Sequence, residues 1–278
     1  MVSTRLRAKA GDPGLFGPGS MAWRVDGEAL VLAGGTCALL MQLAHPAVAA
    51  GVDQHSDFRA DPFARLRRTL RSSYAVAFGT ASDAEAAIRR VNAIHAVVRG
   101  HVPETGAAYH ATDPALLLWV HATLVDTALR VYDRYVAPLT ADEQQAYHAE
   151  ARQVAIRMGI PESSVPVTLA EMRAEMARMM ADGTVRVDAT ARALAPHVRY
   201  PTRFPPRAVW DMAHLISDSV LPQPIRRGYG ISWSPAREAG MQRLAAVSRG
   251  VVARLPADVR RVPQARRAER RVAGRADR

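Results

Sequence analysis

Residues 61–79 read DPFARLRRTLRSSYAVAFG. Asp61 is a good N-cap, Pro62 suits the first helical position, and Gly79 supplies a stop. Between them Phe63, Leu66, Leu70, Tyr74 and Phe78 recur at steps of three and four. That is the period of a helix with one apolar face, not of a strand. The same punctuation recurs along the chain. Ser82 with Glu85 has capping-box spacing, and Gly100 is the stop expected for that helix. Asp113-Pro114 opens a long helix through Leu117, Val120, Leu124 and Ala128 to the region of Tyr135. Thr140 with Glu143, and Thr168 with Glu171, give two more capping boxes, and Gly159 and Gly183 sit where C-terminal stops belong. Ser234-Pro235 starts a helix running to the region of Leu255.

Strand signals are sparse. Thr184 to Val187 is a lone alternating β-branched run, and the proline- and arginine-spotted residues 186–206 read as an irregular connection. The expected fold is all-α, with about eight to ten helices in a single domain over residues 14–255. Residues 256–278 are expected to form a basic C-terminal tail.

With 278 residues the chain can bury a large core. Its 37 basic and 26 acidic residues leave a net charge of +11, and Lys9 is the one lysine. Such an excess raises the question of a nucleic acid or an anionic surface as partner. Residues 254–278 hold nine arginines and three acids, so +6 of the total sits there and +5 on the rest. The tail has no interleaved aromatics and no DNA-reading motif, which argues against nucleic acid. Cys37 stands alone, so neither an internal disulfide nor a cysteine metal cluster is available, as suits a reducing compartment. The N-terminal basic residues run into Gly11-Asp12-Pro13-Gly14 and not into an apolar segment, so a cytoplasmic location is expected. Ala29 to Val52 is apolar and long enough to span a bilayer, but it contains Gly34-Gly35, Gln42 and His45-Pro46. It reads as a buried core helix ending near His45, not as a stable membrane span.

Several chemistries are excluded. The sequence has no P-loop and no nucleophile elbow, and Gly228-Tyr229-Gly230 lacks the rest of a dinucleotide fingerprint. H-E-x-x-H is absent, and so is the E-x-x-H of helical di-iron proteins. A haem needs only one axial histidine on a helix beside an apolar pocket.

Two histidines suit that role. His95 follows Ile88 and Val91 and precedes Val98 at helical steps, which puts its ring on an apolar face. His121 shares a face with Leu117, Leu124 and Ala128. Either could be an iron ligand or a hydrogen-bonded core histidine, and the pattern does not separate them. His45 and His55 bracket a turn and read as capping or structural. His101, His110 and His148 read as exposed. Arg65, Arg68 and Thr69 lie at i, i+3 and i+4, so they share one helix face, continued by Ser72 and Ser73. Two guanidiniums and a hydroxyl suit a carboxylate or an oxygen-bearing ligand, although a solvated face has the same pattern. Met172, Met176, Met179 and Met180 read as core filling.

These pieces stand in a particular order. Gly17-Pro18-Gly19-Ser20 comes first, then the apolar segment ending His45-Pro46, then Gly51-Val52-x-x-His55-Ser56. Asp61-Pro62-x-x-Arg65-x-x-Arg68-Thr69 and Tyr74 to Gly79 follow. Val91-Asn92-x-Ile94-His95-Ala96-x-Val98-Arg99-Gly100, Tyr109-x-Ala111-x-Asp113-Pro114, Trp119 to Leu124 and Pro138-Leu139-Thr140 continue it. Gly228-Tyr229-Gly230 and Leu255-Pro256 to Arg267 close the set. Over residues 14–270 the chain resembles the catalytic-domain family of the oxygenase MpaB and the rubber oxygenase (latex clearing protein).

The resemblance implies a globin-like all-α domain with a buried haem b pocket, and an oxygenase that uses dioxygen on a small apolar, isoprenoid-like substrate. It implies His95 as the proximal iron ligand, with His121 as second candidate, and Arg65, Arg68 and Thr69 on the distal side. Arg68 stands where the rubber enzymes have a lysine, and an arginine cannot ligate iron as a neutral amine would. The alternative expectation is a non-catalytic helical protein that binds haem or another apolar ligand.

Overall fold

In a computed structural model of the chain, residues 11–56, 62–201 and 206–274 are described, with side chains of the second stretch described from residue 67 onward. The described residues form fourteen α-helices and one small hairpin. The first four helices are α1 (Met21–Asp26), α2 (Gly35–Leu43), α3 (Pro46–His55) and α4 (Pro62–Phe78). Next come α5 (Ala81–His95), the strands β1 (Arg99–His101) and β2 (Ala108–His110), and α6 (Pro114–Val131), which ends in one π-helical turn. The second half holds α7 (Ala141–Arg157), α8 (Leu169–Ala181), α9 (Ala189–Arg199) and α10 (Arg207–Val220). It closes with α11 (Gln223–Gly228), α12 (Pro235–Val252), α13 (Ala257–Arg260) and α14 (Pro263–Val272).

The helix α6 is the axis of the core. Trp119, Val125, Leu129 and Val131 are almost fully buried, and α2, α8 and α10 pack around them. The indole of Trp119 donates to the Met41 carbonyl at 3.1 Å, so this core ring is also polar-satisfied. Gly34 lets the chain pass close to α6, since a Cβ there would meet Thr127 Cγ2 at 2.7 Å. Met172, Met176 and Met179 are buried in the same cluster, as core filling requires. By length and composition α6 with its π turn could cross a membrane, but 61% of that apolar window faces inward. The other apolar stretch, Ala29–Leu43 with Pro46–His55, is bent by 103° at the His45-Pro46 break. A core segment ending near His45 is therefore what the structure has.

The helical punctuation mostly holds. Pro62 and Pro114 open α4 and α6, both threonine–glutamate boxes form, and Gly159 and Gly183 take positive φ. Five expectations are corrected. The cap of α5 is Thr80 with Asp83, two residues before the Ser82–Glu85 pair, because Thr80 directly follows the helix-ending Gly79. Gly100 does not end α5. It sits in β1 opposite Tyr109, where a Cβ would meet Gln54 Oε1 at 2.3 Å. The β-hairpin is thus Arg99–His101 with Ala108–His110, not Thr184–Val187. The supposedly irregular 186–206 stretch contains α9, capped by Asp188 and carrying Pro196 inside it. Finally, the helices outnumber the eight to ten expected, because short ones such as α11 and α13 carry too few residues to show periodicity.

The basic tail is not loose over its described part. Val262, Ala265 and Ala268 of the α13–α14 segment pack with Trp23, Ala77 and Phe78. The Arg271 guanidinium donates to the Phe78 carbonyl at 2.8 Å and to that of Gly79 at 3.1 Å. A cation on the last carbonyls of a helix is favourable both as a cap and against the helix dipole.

Candidate functional site

The helices α4 and α5 form a tight antiparallel hairpin, joined through Gly79 and Thr80 alone. His95 lies fifteen residues beyond Thr80, and Arg65 lies fourteen before Gly79. At a 1.5 Å rise per residue both are about 22 Å from the turn, so their backbones stand level on neighbouring helices. Arg68 and Thr69 sit about one turn lower on α4, and both are exposed. The Arg65 side chain lies outside the described residues, and so does Asp61. No hydrogen bond or ion pair joins Arg68 or Thr69 to His95 among the described residues.

The His95 ring is half-buried, and its Nδ1 is buried with no hydrogen-bond partner. Burial lowers its pKa, so the imidazole is neutral at pH 7. Beside it Ile94 is 55% and Val97 72% exposed, an unusual amount of bare apolar surface at one helix end. A ring that burial keeps neutral, with no hydrogen bond to either nitrogen among the described residues and flanked by uncovered apolar side chains, suits a single ligand of a planar apolar cofactor, through Nε2 because Nδ1 is enclosed. No group of three or more histidine, cysteine or acidic side chains suited to a metal ion occurs among the described residues. Single-histidine ligation of haem does not require one. Two cavities, of about 590 and 310 Å³, lie elsewhere, and neither is lined by a histidine among the described residues.

His121 is deeper. Its Nε2 is buried without a partner, and burial, helped by nearby His148, pushes its pKa down to about 4. Leu124 does not share its burial, being 47% exposed. His148 is corrected from exposed to fully buried, with Nε2 3.1 Å from the Pro166 carbonyl. His45 caps α3 by accepting from the Ala47 N–H, and His55 Nε2 lies 2.8 Å from the Arg99 carbonyl, so both are structural as read.

The His121 shift has a consequence in acid. The unfolded ring protonates near pH 6.5 and the folded one only near pH 4, so stability is lost as pH falls between those values. The shift corresponds to about 3 kcal/mol. His121→Leu is expected to flatten the fall in urea midpoint between pH 7 and pH 4.5. An unchanged slope would show that His121 is not the titrating group.

Buried carboxylates were missed by sequence reasoning. Asp126 is held by Arg130 and Arg173, with N–O distances of 2.5 and 2.8 Å. Asp218 receives both arms of Arg199 at 2.7 and 3.2 Å. Asp26 accepts from Tyr147 at 2.8 Å, and burial raises its pKa to about 6. The available signal was an acid inside an apolar run, as in Leu124-Val125-Asp126 and Ile216-Ser217-Asp218. Arg130, Arg173 and Arg199 are thereby matched to buried acids.

A sequence profile described as the ER-bound oxygenase mpaB/B′ and rubber oxygenase catalytic domain matches residues 23–250. The chain belongs to that family. The matched span of this MpaB and rubber oxygenase family takes in the α4–α5 hairpin, His95 and His121, and most of α12. Two curated relatives, uncharacterised proteins of Mycobacterium bovis and Mycobacterium tuberculosis, are each 29% identical over 133 residues. The alignment covers 46% of this chain, and the chain spans about half the length (51%) of each relative. No solved structure matches.

Proposed function

We propose that the chain is a haem b-dependent oxygenase that uses dioxygen on a small apolar substrate of isoprenoid character, with His95 as the axial iron ligand. The observation that carries this reading is the His95 ring. Burial favours its neutral form, neither ring nitrogen is hydrogen-bonded among the described residues, and its backbone stands level with that of Arg65 on the adjacent helix. Membership of an oxygenase catalytic-domain family supports the reaction class. Haem, when bound, would supply the dioxygen chemistry, while the chain supplies pocket, orientation and access. Arg65 would pair with a propionate, as guanidinium forks do with carboxylates. Arg68 and Thr69 would offer N–H and O–H donors on the oxygen side. Ile94 and Val97 would be covered by the apolar ring or the substrate. His121 is the second candidate ligand. A cytoplasmic location belongs to the same proposal.

The second reading, a non-catalytic binder of haem or an apolar ligand, is favoured by Arg68, which cannot act as an amine ligand. Oxygen uptake separates the two. Haem-loaded protein is expected to consume dioxygen when farnesol- or squalene-like isoprenoids are added, and not before. Haem retention without substrate-dependent uptake would favour the binder.

A further inference from the structure

The helix α4 has two working faces. Arg65, Arg68, Thr69 and Ser72 share one of them. Arg67, Leu70, Arg71, Tyr74 and Phe78 follow at i, i+3, i+4, i+7 and i+11, which turns them to the opposite side. On that opposite side lies the cavity of about 590 Å³, between α4 and α14. Its size is that of a small-molecule site. Leu70, Tyr74, Ala75 and Phe78 give it an apolar floor, and Arg67, Arg71 and Arg267 give it a cationic rim.

The groove is built by held elements. Arg271 ties α14 to the last carbonyls of α4, and Phe78 packs edge-on against Trp23 with centroids 5.8 Å apart. By contrast, Arg67, Arg71 and Arg267 are exposed, and none has a hydrogen bond or ion pair among the described residues. No acidic side chain lines the cavity among the described residues. Most other arginines near the core are clamped to carboxylates or carbonyls, as Arg134, Arg173, Arg199 and Arg261 are. Three guanidiniums on one cavity, without a counter-charge among the described residues and above an apolar floor, match one ligand chemistry: an anionic head on an apolar body. The charge of the terminal residues outside the described ones does not complement this rim. Residues 1–10 carry Arg5, Arg7 and Lys9 with no acid, and residues 275–278 carry two arginines against Asp277.

The geometry points to a second ligand site here, in which the α4–α14 groove binds an amphipathic anion with a phosphate head and an apolar chain. Three rim charges favour a phosphate over a single carboxylate, since phosphate carries more charge and more acceptor oxygens. The site is separate from the His95 side of the hairpin and does not rest on the haem reading.

Calorimetric titration of the full chain with dodecyl phosphate, dodecanoate, dodecanol and inorganic phosphate, each below its micelle concentration, tests it. Dodecyl phosphate is expected to bind about tenfold or more tightly than the other three, and to weaken with added salt. The variant R67Q/R71Q/R267Q should lose about tenfold or more in affinity with an unchanged melting temperature, because the three side chains are exposed and unpaired. R90Q/R227Q/R243Q, which removes the same charge elsewhere, should bind like the parent. Absence of binding, equal binding of dodecanol or dodecanoate, or an equal loss in the control variant would each overturn the proposal.

Discussion

His95→Ala is expected to yield a folded protein that no longer retains haem, with a Soret band below about a tenth of the parent's and oxygen uptake at background. An iron ligand bond has no substitute once the imidazole is gone. The loss should be chemical and not structural. His95 is half-buried at the last turn of α5, and its Nδ1 makes no hydrogen bond, so truncation removes no satisfied polar contact. A stability change within about 1 kcal/mol follows. The comparison variant is His121→Ala, whose deeper ring costs more stability but should leave the Soret band in place. The opposite pattern, with haem kept by His95→Ala and lost by His121→Ala, moves the ligand to α6.

Asp218→Ala is expected to be the most destabilising single substitution in the helical body. Asp218 is 1% exposed and receives both arms of Arg199, with Arg237 at 3.9 Å. Those contacts join α9, α10 and α12. Removing one partner of a buried pair strands the other, and Arg199 is paired with no other acid among the described residues. The expected cost is about 3–5 kcal/mol. For a domain of this size that lowers the melting temperature by about 6–20 °C. Scanning calorimetry reads it directly, and a drop of under about 2 °C would show that the pair is not a keystone. Asp218→Asn keeps the shape and two of the acceptor sites, so it should fall between the two.

The helices were legible where long apolar periods met a cap and a stop. For α4 the proline, the five apolar positions and Gly79 all agree, and the helix runs Pro62–Phe78. The misses have local causes. Gly100 looks like a stop, but its missing Cβ serves the close approach of Gln54 and Tyr109 in the hairpin. A three-residue strand such as β1 is too short to alternate visibly. Residues 186–206 look irregular because they are spotted with prolines, yet α9 runs through Ala189–Arg199 with Pro196 inside it, in its last turn, so the missing N–H disturbs only the helix end. Within the candidate site, the sequence placed His95 on an apolar face, and the structure puts its ring half inside. It did not show that Ile94 and Val97 would be left bare, because helical periodicity cannot tell an apolar side chain facing protein from one facing open space. Nor could it show that the outer face of α4 meets α14, since that contact joins residues almost 200 positions apart.

The charge of +11 first suggested an anionic macromolecule as partner. Arg173 and Arg199 are paired with buried acids and add nothing to that excess, whereas Arg271, which caps α4, and Arg67, Arg71 and Arg267, which rim a cavity, have no carboxylate partner among the described residues and contribute to it.

The central claim is that this helical chain is a haem protein with His95 on the iron. An absorption spectrum of the protein, purified from cells supplied with a haem precursor, tests it most directly. A Soret band with a pyridine haemochrome of haem b at about one haem per chain is the result predicted. A colourless protein, folded by circular dichroism and still free of haem after reconstitution with excess hemin, would contradict it.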